Sequence, residues 1–158
     1  MELILWRHAE AEDGADDMAR ALTKRGHKQA KLMADWLRPR LGKEWNILAS
    51  PARRALQTVD ALGLDYKVRD RLDTSSGPDD ILREAGWPGA KENVVVVGHQ
   101  PTLGQVAARL LGDIGDVSVR KGAIWWFAVR KRDAGEEAIL KAVLDPGLLE
   151  EQDGLRRR

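Results

Sequence analysis

The sequence predicts a three-layer α/β domain: a mostly parallel central sheet, helices on both faces and an antiparallel edge. Three observations predict it. Short apolar runs, "ELILW", "WNILA" and "NVVVV", are followed by stretches of helical period. The unbroken valines at 94–97 suit a strand buried on both faces of a parallel sheet. Near the C-terminus the alternation stops, and "GAIWWFAVR" (122–130) and "AILKAVL" (138–144) read as two strands. A turn region containing Asp133, Ala134 and Gly135 joins them into a hairpin at the sheet edge.

Taken in order, residues 2–6 form the first strand. A helix is expected over about 23–41, where Ala30, Met33, Ala34, Leu37 and Leu41 share one face. Thr23 is its N-cap, and Pro39 bends or ends it. Residues 45–50 form the second strand. Ser50-Pro51 reads as a helix start, a capping side chain before a proline at the first helical position. The helix that follows carries Ala52, Ala55, Leu56, Val59 and Leu62 on one face and stops at Gly63. "YKVRDRL" (66–72) is a weaker strand and 73–80 a loop, with a short helix over about 79–86. After the valine strand, Leu103, Val106, Ala107, Leu110 and Leu111 return to helical spacing.

Composition bounds the function. The 158 residues suit one domain spanning 1–158, with about 147–158 a flexible tail. Basic and acidic residues nearly balance, 26 against 25, which argues against a general nucleic-acid binder. The arginines at 156–158 read as a solvated tail. No cysteine is present, so disulfides, thiol catalysis and cysteine-based zinc sites are excluded. The first residues do not read as a signal peptide, and the longest apolar run, 123–129, is too short for a bilayer span. The expectation is a soluble cytoplasmic protein.

Chemistry-bearing residues recur at one kind of place. Arg7-His8 ends the first strand. "SPARRALQT" (50–58) follows the second. Gly98-His99 ends the valine strand. Carboxyl ends of parallel strands gather at one sheet edge, where ligands bind. Two histidines and at least two arginines therefore converge on one crevice. Arginine forks match phosphate oxygens, helix N-termini add free amides, and neutral histidine is a good nucleophile toward phosphorus. Nearby cations, Arg7 and Arg53, help keep His8 neutral.

These segments resemble the histidine phosphatase superfamily, and within it the small SixA-type phosphohistidine phosphatases. The resemblance is carried by "LILWRHAEAE", "ARALTKRGHKQAKLMADWL", "ILASPARRALQT", "VVVVGHQPTLG" and "KGAIWWF", in this order, from Glu2 to about Leu144. It implies a phosphoglycerate mutase-like fold. It also implies that His8 is the nucleophile that accepts the phosphoryl group, that Arg7 and Arg53 bind phosphate, and that His99 contacts phosphate and stabilises transition-state charge. Arg20 matches a basic position near the pocket mouth. Arg54, one residue further round its helix, is expected to point elsewhere. The implied mechanism needs no cofactor and no metal, the arginines taking the cation's role.

Two departures stand out. Ala9 replaces the glycine of the usual Arg-His-Gly, which would cost about 1 kcal/mol or more if that position needs positive φ. The loop "LDTSSGPDD" offers no clear proton donor, only Asp73, Asp79 and Asp80 as candidates. A missing acid favours N–P over ester substrates, because an alkoxide needs a delivered proton, worth roughly 10²–10⁴-fold. A phosphohistidine ring, once protonated, leaves as neutral imidazole.

The remaining features have plainer readings. His27 is expected to be solvent-exposed. Trp125 and Trp126 are adjacent in a strand, point to opposite faces and belong to the core and a partly covered sheet face. Glu12, Asp13, Asp16 and Asp17 form an acidic, solvated loop. The expected partner is a phosphorylated protein, a histidine-containing phosphodonor, or else a small phosphorylated metabolite; neither nucleic acid nor membrane is expected. The alternatives are a small-molecule phosphomonoester phosphatase and a catalytically weak phosphate- or phosphoprotein-binding module.

Overall fold

The computed structural model describes residues 1–150. It contains β1 (Glu2–Arg7), α1 (Lys24–Leu37), β2 (Trp45–Ala49), α2 (Arg53–Asp60), β3 (Lys67–Val68) and α3 (Pro78–Ala85). These are followed by β4 (Asn93–Gly98), α4 (Thr102–Leu110), β5 (Ile124–Arg132), β6 (Gly135–Leu144) and α5 (Pro146–Leu149). The six strands form one sheet in the order β3-β2-β4-β1-β5-β6. β3, β2, β4 and β1 run parallel, and β5 and β6 complete it as an antiparallel hairpin.

β1, β2 and β4 are apolar on both faces because both faces are covered. Leu3, Leu5, Val94 and Val96 pack against Ile81 and Ala85 of α3 and Leu103, Val106 and Ala107 of α4. Ile4, Trp6, Val95 and Val97 point the other way, to Met33, Ala34 and Leu37 of α1 and Ala55 and Val59 of α2. Leu5 is fully buried, and its truncation to Ala would cost about 2–5 kcal/mol. The tryptophans divide as their alternation requires, Trp125 against one core and Trp126 in the other.

Thr23 caps α1, its hydroxyl accepting from Gly26 N at 2.9 Å. Gly26 lies so close to the Glu10 carbonyl that a Cβ would meet it at 2.0 Å, which brings the start of α1 against the loop after β1. The regular helix ends at Leu37, and residues 38–40 tighten into a 3₁₀ turn around Pro39, which has no amide hydrogen to give. The strand expected over 66–72 shrinks to two exposed residues, because Asp70–Leu72 turn as a 3₁₀ helix that delivers Leu72 to the core. Residues 147–149, expected to belong to a tail, are instead ordered in a turn of helix. Residues 146–149 form a helical turn against α1, with the Asp145 carboxylate accepting from Gly147 N at 2.9 Å. The rest of that expectation, with the arginines at 156–158, lies outside the described residues. Among the described residues no helix is long and apolar enough to cross a membrane.

Candidate active site

Pairing of β1 with β4 and of β4 with β2 puts three carboxyl ends side by side. Arg7 lies opposite Gly98, His8 N donates to Gly98 O at 3.1 Å, and Ser50 N donates to Val97 O at 3.0 Å. The next residues of the strands therefore open into one cleft of about 290 Å³ lined by Arg7, His8, Asp17, Arg20, Arg54, Thr74, His99, Gln100 and Lys121. A larger groove, about 730 Å³, adjoins it and shares Arg7 and Lys121.

His8 and His99 are both buried, their ring centroids 5.3 Å apart. His8 Nδ1 lies 2.7 Å from the Ala9 carbonyl oxygen, which can only accept, so Nδ1 carries the hydrogen and Nε2 keeps its lone pair. Burial is the main reason the His8 pKa falls to about 3. The His99, Arg54 and Arg7 charges act in the same direction, and the Ala9 hydrogen bond opposes them. His99 falls to about 4, again chiefly by burial and then by Arg54. At neutral pH both rings are uncharged, and Nε2 of His8 is available as a nucleophile. Arg7 Nη1 donates to Val119 O at 3.0 Å. Arg7 Nε and His99 Nδ1 are buried without a hydrogen-bond partner among the described residues.

The second arginine of the cleft is Arg54, which corrects the expectation for Arg53. α2 begins at Arg53 with Ala52 as its N-cap, later than a Ser50 cap would start it. Its buried face carries Arg54, Ala55, Thr58 and Val59, and Arg53 faces solvent. Arg54 Nε lies 3.4 Å from His8 Nε2. Its Nη1 donates to the Asp17 main-chain oxygen at 2.6 Å and its Nη2 to Asp17 Oδ2 at 3.2 Å. Arg54 shares the buried stripe of α2 with Thr58, four residues on.

Arg20 lines the cleft, donating to Asp17 Oδ1 at 3.0 Å and to Glu12 O at 2.7 Å. Asp17 is thus more than part of a solvated acidic loop. Hydrogen bonds from Arg20 and then Arg54 hold its carboxyl below the ordinary range. None of the three acid candidates lines the cleft. Asp73 is held ionised by the Ser75 hydroxyl and amide, Asp79 pairs with Arg109, and Asp80 accepts from Gly77 N at 3.0 Å.

Sequence reasoning also missed two hydroxyls. Thr58 Oγ1 accepts from Ala9 N at 3.0 Å and donates to Arg54 O at 2.7 Å, which ties the loop carrying His8 to the helix carrying Arg54. Ser50 Oγ is 2.7 Å from His99 Nε2, so the residue read as a helix cap serves the cleft. Ala9 is fully buried beside Leu22 and Ala30 and is not among the residues with positive φ, so the expected strain does not arise. His27 is exposed, as expected.

Two uncharged imidazoles with the guanidinium groups of Arg7 and Arg54 beside them can grip a tetrahedral oxyanion and attack it. The comparisons agree with that chemistry. Residues 3–87 match the histidine phosphatase superfamily (branch 1). An uncharacterised Mycobacterium tuberculosis protein, Rv1276c, is 36% identical over 106 residues, 64% of this chain and 66% of that protein. The phosphohistidine phosphatase SixA of Escherichia coli K12 is 30% identical over 125 residues, 70% of this chain and 74% of SixA. A solved structure of the protein histidine phosphatase SixA complexed with tungstate superposes with a TM-score of 0.75 at 25% identity, covering 95% of this chain and all of that one. The chain belongs to the histidine phosphatase superfamily. It is a phosphatase of SixA-like, phosphoglycerate mutase-like fold.

Proposed function

We propose that this phosphatase removes the phosphoryl group from a protein-borne phosphohistidine through a covalent intermediate on His8. The observation that carries the reading is the His8 ring, its Nδ1–H on the Ala9 carbonyl and its Nε2 turned to Arg54. Arg7, Arg54 and His99 hold the phosphoryl oxygens, and the Nε2 lone pair forms a bond to phosphorus. The P–N bond to the substrate breaks, and its electron pair returns to the departing ring. That ring leaves neutral because its other nitrogen carries a hydrogen. Water then attacks phosphorus, the His8–P bond breaks, and phosphate and neutral His8 are regenerated. Positioning and fixed charge supply the acceleration.

The substrate class is supported by an acid that the cleft does not offer. Asp17 is the one carboxylate among the described residues lining the cleft, and its two arginine partners hold it ionised. An alkoxide leaving group would find no carboxylic acid there to protonate it, whereas a protonated phosphoimidazole needs none. The open mouth and the adjoining groove leave room for polypeptide around the phosphoryl group. SixA, the E. coli relative, carries the corresponding name. The test is kcat/KM on a phosphohistidine peptide against a panel of phosphomonoesters, with ³²P transfer to the protein. Preference for the peptide and labelling lost in His8→Ala are expected. A phosphomonoester turned over faster would overturn the substrate class, and turnover surviving in His8→Ala would overturn the mechanism.

A further inference from the structure

Ser50 is fully buried, and its hydroxyl has two neighbours. Ala52 N donates to Oγ at 3.2 Å, and His99 Nε2 lies at 2.7 Å. A hydroxyl carries one hydrogen, and an amide N–H cannot accept it. Were His99 Nε2–H the donor to Oγ, the Ser50 hydrogen would be buried with no acceptor among the described residues. The Ser50 hydroxyl hydrogen finds an acceptor only if it donates to the Nε2 lone pair. Burial keeps His99 uncharged, so its single N–H is then on Nδ1, the ring nitrogen left without a partner. Phosphoryl oxygens accept hydrogen bonds, so that nitrogen must donate to be useful.

The geometry points to Ser50 as a positioning residue that fixes His99 as the Nδ1–H tautomer, so that the ring meets a phosphoryl oxygen with a donor. The two histidines are then the same tautomer set by opposite means. At His8 a carbonyl demands the hydrogen at Nδ1 and leaves a lone pair on Nε2 for phosphorus. At His99 a hydroxyl occupies the Nε2 lone pair and leaves an N–H for oxygen. The sequence signal is Ser50 ahead of Pro51. The serine directly follows β2 rather than capping the helix, and β2 pairs with β4, which His99 directly follows.

This inference rests on the cleft taking a phosphoryl group, and the test separates the two. Two-bond ¹H–¹⁵N spectra of the ¹⁵N-labelled full chain at neutral pH report each histidine tautomer, with His99 assigned by its loss in His99→Gln. The wild-type chain without added anion should show His99 as Nδ1–H, and inorganic phosphate should move that nitrogen's shift. In Ser50→Ala the ring should become a tautomer mixture, with phosphate affinity about three- to tenfold weaker. Ser50→Thr, which keeps the hydroxyl, should retain the wild-type tautomer. A wild-type Nε2–H tautomer overturns the proposal, whether or not the alanine variant folds. So does a Ser50→Ala chain with unchanged tautomer and unchanged phosphate affinity that loses only thermal stability. If Nδ1–H is present but phosphate moves nothing, the phosphoryl site fails and Ser50 cannot position a ring for it.

Discussion

Replacing Arg54 by Ala removes the guanidinium whose Nε lies 3.4 Å from His8 Nε2, and it strips Asp17 of the partner to its Oδ2 and main-chain oxygen. Two effects add. The phosphoryl group loses a charged two-donor fork, each charged hydrogen bond being worth ~1.5–3 kcal/mol. The Asp17 carboxylate keeps only its Arg20 partner and faces the incoming anion. The first effect alone amounts to ~3–6 kcal/mol of transition-state stabilisation, a ~10²–10⁴-fold loss in kcat/KM. Arg54→Lys restores charge but not the fork, and should recover only part of the loss. Arg53→Ala is the control. Its side chain faces solvent, so kcat/KM should stay within about threefold and stability within ~0.5 kcal/mol. The assay is steady-state turnover of the phosphohistidine peptide, with urea unfolding of each variant to show that it is folded. An Arg53→Ala loss as deep as that of Arg54→Ala, or an Arg54→Ala enzyme within tenfold of wild type, would refute the reasoning.

Further predictions follow from the same contacts. His8 and His99 have folded pKa values near 3 and 4, below the ordinary 6.5, so the unfolded chain binds more protons at acid pH. Stability should therefore fall as pH drops from about 6.5 toward 3, by up to ~3 kcal/mol per histidine at pH 4.5. Urea unfolding from pH 7 to 4.5 measures this, and an equally steep slope in a His8→Asn, His99→Asn double variant would contradict it. Thr58→Val leaves the Ala9 amide unpaired in the core, and should cost ~1–3 kcal/mol, a fall in Tm of ~3–10 °C, together with a lower kcat. Ala9→Gly should destabilise by ~0.5–1 kcal/mol, because Ala9 does not have positive φ; a higher Tm would show strain that the backbone lacks. Gly26→Ala should drive α1 from the Glu10 carbonyl, lowering Tm and kcat together; a variant indistinguishable from wild type would count against that close approach.

The sequence by itself determined the layers, the hairpin edge and the convergence of Arg7, His8 and His99. Those properties follow from apolar period and strand ends, which neighbouring residues encode. Thr23 as a cap and Val94–Val97 as a two-faced strand are local facts of the same kind. Only the tertiary structure decided which of Arg53 and Arg54 enters the cleft, because the phase of α2 depends on where its first turn begins, and Ser50, next to His99, does not begin it. Asp17 and Thr58 were equally invisible. Asp17 meets Arg54 across 37 residues and Thr58 meets Ala9 across 49, and nothing in either segment alone reports a partner so far along the chain. Period is written locally, whereas hydrogen-bond partnership in a cleft is settled by which strand ends the sheet happens to place side by side.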